Sequence, residues 1–261
     1  MRRFEGYGVL ITGAGRGIGA ATARRLAAEG AQVLVTDLDG DLAETAAAAI
    51  RTSGGAAEAL ACDVGDRTAI EAAVAHAVER FGTLDVLVNN AYACHPDTPL
   101  FEDEEDEGWA RDLDITLTGA FRCARAALPH LAAAPGGRGA IVSIGSVNGE
   151  QDFGNHAYSA AKAGLASLTR TLAGHAAPRG VRVNLVAPGT VHTDAWAGRE
   201  ADLRAIAAHY PLGRVGLPDD IAAAVAFLAS SDAAWITGVS LPVDGGILVG
   251  QMGPRHAVGR R

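Results

Sequence analysis

Seven short runs rich in β-branched and other apolar residues recur along the chain, and longer segments with helical periodicity separate them. The runs cover residues 9–12, 32–36, 59–64, 85–89, 140–144, 181–186 and 239–243. When strands and helices alternate strictly, neighbouring strands pair in parallel through right-handed crossovers, and the helices cover both faces of the sheet. The alternation therefore predicts an α/β protein with a doubly wound, seven-stranded parallel sheet.

The segment 70–81 shows the helical periodicity clearly. Its apolar residues fall at spacings that place them on one face of a helix: Ile70, Val74, Ala77, Val78 and Phe81. Asp66 precedes this segment and is the predicted N-cap. Because no Pro/Ser-rich linker or internal repeat interrupts the alternation, we expect a single domain over residues 1–261.

Composition and charge exclude several classes of function. With 22 basic and 30 acidic residues, the net charge of −8 disfavours a nucleic-acid partner. Apolar runs are too short for a membrane span, and the N-terminal segment lacks the pattern of a signal peptide. Three widely spaced cysteines without a Cys-x-x-Cys pair predict neither disulfides nor a metal site. We expect a cytoplasmic protein that acts on a small molecule.

A glycine-rich loop, residues 12–19, directly follows the first predicted strand and opens a helix. Its predicted binding residues are Gly13, Gly15, Arg16, Gly17, Ile18 and Gly19. Glycines let the backbone approach a pyrophosphate, while the helix N-terminus offers free N–H donors and a positive dipole end. In this position the loop predicts a dinucleotide site in a Rossmann-type fold.

Two residues bear on the choice of nucleotide. Asp37 ends the second predicted strand, eighteen residues after Gly19. A carboxylate there can accept hydrogen bonds from both ribose hydroxyls of an adenosine and would repel a 2′-phosphate, which favours NAD. Arg16 argues the other way, since a guanidinium in the glycine loop could pair with that phosphate. We expect NAD to be preferred, with NADP possible.

Tyr158 and Lys162 lie four residues apart in a helix-favouring stretch and therefore project from the same face. A phenol with a pKa near 10 is a weak base at neutral pH, and lowering that pKa by about three units requires about 4 kcal/mol. A neighbouring ammonium and an oxidised nicotinamide can supply this free energy. Ser146, just beyond the fifth predicted strand, can donate a hydrogen bond to a substrate oxygen.

These residues form part of an ordered motif series that resembles the short-chain dehydrogenases/reductases over about residues 5–247. The series comprises the glycine loop, Asp63, Asn89-Asn90-Ala91, Ser146, Tyr158-x-x-x-Lys162, Asn184, Pro188-Gly189 and Asp244-Gly245-Gly246. The resemblance implies an NAD(P)-dependent oxidoreductase that interconverts a secondary alcohol and a ketone. It also implies a homo-oligomer, most often a homotetramer and otherwise a dimer.

The resemblance assigns roles to individual residues. It implies that Asp63 and Val64 flank the adenine and that Asn89 and Ala91 pass by the ribose. It further implies that Lys162 holds the nicotinamide ribose and that Val191 and Thr193, which follow Pro188-Gly189, bind the carboxamide. Tyr158, Pro188 and Gly189 are also implied to contact the cofactor. Tyr158 is then the proton acceptor or donor, Ser146 orients the carbonyl, and Lys162 anchors the ribose and shifts the pKa of the phenol.

The chain departs from the family pattern at Thr116, which stands where the family usually has an asparagine that holds a water of the proton relay. A threonine hydroxyl is shorter, and we expect it to support the relay less well or to bond its own helix carbonyl. We nevertheless count Thr116 among the catalytic positions.

A second departure is Tyr92, which follows Ala91 where the family normally has glycine. Its ring either borders the mouth of the active site or packs outward against a neighbouring helix. Four other side chains are candidates for substrate contact: His95, His156, His192 and Trp196. We expect residues 190–214 to form a substrate-covering segment, and residues 248–261 to form a C-terminal tail.

Two other functions remain open at this point. One is an NADPH-dependent ketoreductase acting on 3-oxoacyl carriers, which would need a basic patch beside the pocket to receive an acidic carrier. The other is a catalytically weak dinucleotide-binding regulatory protein, which Thr116 permits and which the intact set of Ser146, Tyr158 and Lys162 disfavours.

Overall fold

The computed structural model describes residues 2–250 and contains one seven-stranded, all-parallel sheet with the strand order β3-β2-β1-β4-β5-β6-β7. The strands are β1 (Gly8–Ile11), β2 (Gln32–Asp37), β3 (Ala56–Ala61), β4 (Val86–Asn89), β5 (Ala140–Ile144), β6 (Arg182–Pro188) and β7 (Ser240–Val243). The order reverses between β1 and β4. In a doubly wound sheet, ligands bind beyond the carboxyl ends of the strands at this point.

Helices cover both faces of the sheet. They are α1 (Gly17–Ala28), α2 (Gly40–Thr52), α3 (Arg67–Phe81), α4 (Asp106–Leu113), α5 (Gly119–Ala132), α6 (His156–Ala176), α7 (Glu200–Ala207) and α8 (Pro218–Ala229). A π-helical turn, Asp114–Thr118, joins α4 to α5. The predicted doubly wound α/β fold with seven parallel strands is confirmed.

The alternation of side chains along the strands explains the two-sided core. Val9 and Ile11 face one side of β1 and pack with buried residues of α1, α2 and α8. Leu10 faces the other side and packs with buried residues of α3, α5 and α6. Because both faces are covered, the inner strands are apolar at nearly every position rather than at every second one.

The predicted N-cap of α3 is also present. The Asp66 carboxylate accepts a hydrogen bond from the Thr68 amide at 2.8 Å, and the helix runs over Arg67–Phe81. Ile70, Val74 and Ala77 are buried. The helix ends at Gly82, whose φ of 74° is the left-handed conformation that glycine adopts without strain.

The bounds predicted for β3, residues 59–64, were wrong. The strand covers Ala56–Ala61, and it pairs only with β2 because it lies at the edge of the sheet. Its sequence contains alanine, glutamate and leucine but no β-branched residue, so the signal used for the other strands is missing. The apolar run that suggested the later bounds continues into Cys62 and Val64, which are buried beyond the strand.

The segment predicted to cover the substrate, residues 190–214, contains a one-turn helix, Asp194–Trp196, followed by α7. Of the predicted tail 248–261, residues 251–261 lie outside the described residues. Within residues 2–250, no helix combines the length and the apolar character needed to cross a membrane.

Candidate active site

A cavity of about 1320 Å³ lies beyond the carboxyl ends of the strands, on both sides of the point where the strand order reverses. Residues following β1, β2 and β3 line one half, and residues following β4, β5 and β6 line the other. The segment carrying Trp196, Ile206 and Tyr210 closes the second half. The volume of the cavity leaves room for a dinucleotide together with a substrate.

The glycine loop forms the floor of the first half. A Cβ at Gly13 would lie 2.8 Å from Ala91 Cα, and one at Gly19 would lie 2.5 Å from the Gly13 carbonyl oxygen, so neither position admits a side chain. Gly17 begins α1 with a φ of 57°, and Arg16 at the N-cap makes no side-chain capping bond. The first turn of α1 contains no acidic residue. The uncapped N–H groups and the positive helix end therefore fit a pyrophosphate.

Not every predicted loop residue faces the cavity. The cavity is lined by Gly13, Arg16, Gly17 and Ile18. Gly15 and Gly19 do not line it and instead contact neighbouring parts of the protein. A Cβ at Gly15 would lie 2.9 Å from Asp37 Oδ2. The absence of a side chain at this position lets its amide donate to the same oxygen at 2.9 Å.

Asp37 ends β2 on the wall of the cavity. Its Oδ2 accepts from the Gly15 amide and its Oδ1 from the Asp39 amide at 3.2 Å. Each carboxylate oxygen can accept more than one hydrogen bond, so both retain capacity towards ribose hydroxyls. Arg16 lines the same half of the cavity.

Asn89, which was predicted to pass by the ribose, and its neighbour Asn90 lie in different surroundings. The Asn89 side chain is buried towards Ser143 of β5, 3.5 Å from that hydroxyl, and does not line the cavity. Asn90 does line it, and its amide donates to the carbonyl oxygens of Thr12 and Gly13 at 3.0 and 2.6 Å. Asn90 thus ties the glycine loop to the end of β4. The alternation of side chains along β4, which sends neighbours to opposite sides, accounts for the difference.

The remaining residues predicted around the nucleotide lie on the cavity wall. They are Asp63, Val64, Ala91, Pro188, Gly189, Val191 and Thr193. Thr193 approaches the glycine loop, because a Cβ at Gly17 would lie 3.5 Å from its Cγ2. The two halves of the cavity therefore meet at the start of α1.

Ser146, Tyr158 and Lys162 lie together in the second half of the cavity. Ser146 follows β5, while Tyr158 and Lys162 occupy the first two turns of α6. A Cβ at Gly149 would lie 2.9 Å from the Ala163 amide nitrogen, so only glycine lets the segment after Ser146 pack onto α6. This close approach brings the serine hydroxyl to the tyrosine.

The electrostatics of this group follow from burial. Lys162 is 3% exposed, its ammonium donates to the Ile144 carbonyl oxygen at 2.5 Å, and burial lowers its pKa to about 7. Burial raises the pKa of the Tyr158 phenol well above its usual value, and the neighbouring Ser146 hydroxyl lowers it. The Lys162 nitrogen lies 5.3 Å from the centroid of the Tyr158 ring. A proton can therefore be held or released by the phenol according to the charge placed next to it.

Thr116 is not bonded to its own helix, contrary to one of our expectations. Its hydroxyl donates to the Ala93 carbonyl oxygen at 3.1 Å and accepts from the Ala93 amide at 3.0 Å. The side chain lies in the π-helical turn, is 1% exposed and does not line the cavity. Thr116 thus anchors the loop after β4, and both hydrogen bonds of its hydroxyl go to Ala93 rather than to Tyr158 or Lys162.

Of the side chains proposed to contact substrate, only Tyr92 and Trp196 line the cavity. His95 instead pairs with the buried Asp112 at 2.6 Å, and His156 packs against Phe101 near Asp97. His192 is exposed outside the lining. The structure thus places these three histidines outside the cavity wall, and their contact with a substrate stays a prediction.

Several lining residues were missed by the sequence analysis. Phe153 and Asn155 lie between Ser146 and Tyr158 in the chain, and His209 follows α7. The first two carried a usable signal, because a short segment between two residues of one site must pass close to that site. Asn155 also has a φ of 56°, a conformation that asparagine tolerates better than most residues.

The chain is similar to known dehydrogenases and reductases over nearly its full length. A family model described as enoyl-(acyl carrier protein) reductase matches residues 13–248. Cis-4-hydroxycyclohexanecarboxylate dehydrogenase of Sinomonas cyclohexanicum is 46% identical over 239 residues, which cover 91% of this chain and 94% of that protein. The 2,5-dichloro-2,5-cyclohexadiene-1,4-diol dehydrogenase of Sphingobium indicum is 41% identical over 250 residues, which cover 95% of this chain and 98% of that protein.

A solved structure extends the comparison to a bound state. The 7α-hydroxysteroid dehydrogenase complexed with NADH and 7-oxo glycochenodeoxycholic acid is similar with a TM-score of 0.86 and 33% identity, covering 94% of this chain and 95% of that one. The chain belongs to the short-chain dehydrogenase/reductase family. It is an oxidoreductase that uses a nicotinamide cofactor and acts on the CH–OH group of secondary alcohols or on the corresponding ketones.

Proposed function

We propose that this enzyme is an NAD-linked dehydrogenase that oxidises a secondary alcohol carried on an alicyclic ring, with Tyr158 as the proton acceptor. One observation carries the proposal: Ser146, Tyr158 and Lys162 meet at the end of the cavity whose other end holds the glycine loop and Asp37. A bound nicotinamide would supply the acceptor for hydride. The chain's own residues handle the proton and orient the alcohol.

The proton chemistry rests on the Tyr158 phenol. In the ligand-free site burial keeps it protonated, since its pKa is raised. When the Lys162 amine is protonated, its positive charge stabilises the Tyr158 phenolate. The Ser146 hydroxyl donates a hydrogen bond either to the phenolate oxygen of Tyr158 or to the substrate oxygen. The phenolate then accepts the proton of the alcohol as the carbonyl forms, and in the opposite direction the phenol donates it.

The preference for NAD rests on Asp37. Its carboxylate lies where the adenosine ribose would bind if the pyrophosphate is held by the N-terminus of α1. A 2′-phosphate would meet this negative charge at short range, whereas two ribose hydroxyls would meet a hydrogen-bond acceptor. Arg16 is exposed, so solvent screens its attraction for the phosphate more than it screens the half-buried carboxylate.

The ring-shaped substrate is proposed from the walls of the cavity and from the relatives. Phe153, Trp196, Ile206 and Tyr92 give the substrate end an apolar and aromatic lining, with Asn155 as a polar group. The two relatives reported above are named for hydroxyl groups on six-membered carbocycles. Apolar and aromatic walls next to Tyr158 suit such a ring.

A substrate screen tests the proposal. Purified protein is mixed with NAD and with NADP and offered cyclic and acyclic secondary alcohols, while reduced nicotinamide is followed by absorbance. We expect turnover of cyclohexanols with NAD that exceeds the rate with NADP and with 2-butanol. Ketone reduction with NADPH alone, or no oxidation of any secondary alcohol, would contradict the proposal.

A second candidate is the NADPH-dependent reduction of the ketone of a 3-oxoacyl group bound to a carrier. The description of the matching family model supports only the carrier part of this candidate, because it names a reductase of carrier-bound enoyl groups. An acidic carrier would need several basic side chains around the mouth of the cavity. In the lining, Arg16 lies at the nucleotide end and Arg111 is the other exposed arginine. Testing a 3-oxoacyl thioester with NADPH separates the two functions. The names of the relatives favour an active enzyme over the regulatory alternative.

We also propose that the enzyme assembles into a homotetramer, or failing that a dimer, in the cytoplasm. Large apolar side chains are exposed on α4 and α5, including Trp109 and Phe121, and Trp235 is fully exposed at the start of the segment before β7. Contact with a second subunit would remove these apolar side chains from water. Light scattering of the purified protein would measure the number of subunits.

A further inference from the structure

Tyr92 follows Ala91 in the loop after β4, and its side chain lies directly beside Tyr158 and Lys162. Its ring meets the Tyr158 ring edge to face, with centroids 5.8 Å apart and an interplanar angle of 65°. The Lys162 nitrogen lies 5.7 Å from the centroid of the Tyr92 ring, within range of a cation–π contact. The side chain nevertheless remains 57% exposed, and it lines the cavity.

The backbone on both sides of Tyr92 is fixed. The Ala91 amide donates to the Thr12 hydroxyl at 3.1 Å, and the Ala91 Cα packs closely on Gly13. The Ala93 amide and carbonyl group are both bonded to the Thr116 hydroxyl. Because these two anchors flank a single residue, a backbone shift that withdraws the ring would have to break these contacts.

Other aromatic and apolar walls complete the substrate end. Phe153 comes from the segment before α6, and Trp196 with Ile206 comes from the covering segment. Tyr92 adds a wall on the side of the loop after β4, at a position where the family resemblance places a glycine. In place of the glycine hydrogen, the hydroxybenzyl side chain of Tyr92 occupies space beside the Tyr158 ring.

We propose that Tyr92 is a specificity-determining residue whose ring admits a single six-membered carbocycle beside Tyr158 and excludes fused polycyclic alcohols. This inference rests on the proposed oxidation of alicyclic alcohols. A pocket that differs by one small group discriminates between substrates by about 10-fold to 200-fold. The much larger change from tyrosine to glycine is therefore expected to alter selectivity by at least about tenfold.

The test compares three probes of increasing size: cyclohexanol, 2-decalol and a 3-hydroxysteroid. For each probe, kcat and KM are measured with the parent enzyme, Tyr92→Gly and the matched control Tyr92→Phe, which keeps the ring. Ratios of kcat/KM between probes are compared, because a general loss of activity or of folded protein cancels in a ratio. Tyr92→Ala replaces Tyr92→Gly if circular dichroism shows that the glycine variant does not fold.

We expect the parent and Tyr92→Phe to favour cyclohexanol, and Tyr92→Gly to shift the ratio at least tenfold towards the fused-ring alcohols through a lower KM. A parent that prefers the hydroxysteroid, or an unchanged ratio in Tyr92→Gly, would overturn the inference about Tyr92 and leave the proposed function intact. A shift in Tyr92→Phe equal to that in Tyr92→Gly would also overturn it, since the hydroxyl would then be responsible. Failure of the parent to oxidise any of the three alcohols would overturn the proposed function, and the inference with it.

Discussion

Replacing Thr116 by valine removes a hydroxyl and keeps the shape of the side chain, so it isolates the contribution of the anchor to Ala93. The hydroxyl makes two hydrogen bonds, both to the same residue, from a site that is 1% exposed. A hydrogen bond contributes about 0.5–1.5 kcal/mol net, and an unpaired buried group costs about 1–3 kcal/mol. Ala93 is only partly buried, so water can reach its freed groups in part.

From these contacts we expect Thr116→Val to lower the free energy of unfolding by about 2 kcal/mol. Urea denaturation followed by circular dichroism measures this quantity for the parent, Thr116→Val and Thr116→Ser. The serine variant keeps the hydroxyl and is expected to recover most of the loss. If the valine variant unfolds within about 0.5 kcal/mol of the parent, then the bonds to Ala93 contribute no net stability and the anchoring role assigned to Thr116 is wrong.

Four further predictions concern the site. Thr116→Asn is expected to stay folded and to keep the turnover number, because an amide can both donate to and accept from Ala93. A folded variant that loses about tenfold in single-turnover experiments would contradict this. Tyr158→Phe should lower kcat by about a hundredfold or more while NADH affinity, measured by fluorescence titration, changes little. NADH should bind at least about tenfold more tightly than NADPH, a difference of about 1.4 kcal/mol, and Asp37→Ala should remove most of that difference. The pKa of Lys162 is about 7 in the folded protein and about 10.4 in an unfolded chain. Between these pH values the unfolded chain binds one more proton than the folded protein, so Lys162 makes the free energy of unfolding rise with pH from 7 towards 10. Urea titrations at pH 7, 8 and 9 should therefore show a smaller rise in the free energy of unfolding for Lys162→Met than for the parent.

The parts of the site that could be predicted from sequence are those encoded by short-range spacing. Tyr158 and Lys162 share a face of α6 because four residues make about one helical turn. The glycine loop was identifiable because its position between a strand and a helix is itself a local property. Six of the seven strand predictions were close to the observed bounds, and β3 failed because its six residues include no β-branched side chain.

The parts that could not be predicted are the directions of loop side chains. His95 and His156 belong to chain segments that were predicted to lie beside the cavity. Their side chains instead face acidic partners on neighbouring segments, Asp112 and Asp97 respectively. Asn89 and Asn90 are adjacent residues of the same type. The Asn89 side chain is buried towards β5, whereas the Asn90 side chain binds the glycine loop. Each of these outcomes depends on which chain segment lies alongside.

The sequence by itself determined the order of strands and helices, the dinucleotide loop and the pairing of Tyr158 with Lys162, because hydrophobic period, turn chemistry and helical spacing act over a few residues. Only the tertiary structure decided that Thr116 bonds Ala93, 23 residues away, and that the Tyr92 ring lies against Tyr158. These contacts exist because the sheet order brings β4, β5 and the start of α6 to one edge. Their partners are distant in the chain, so no local pattern encodes them.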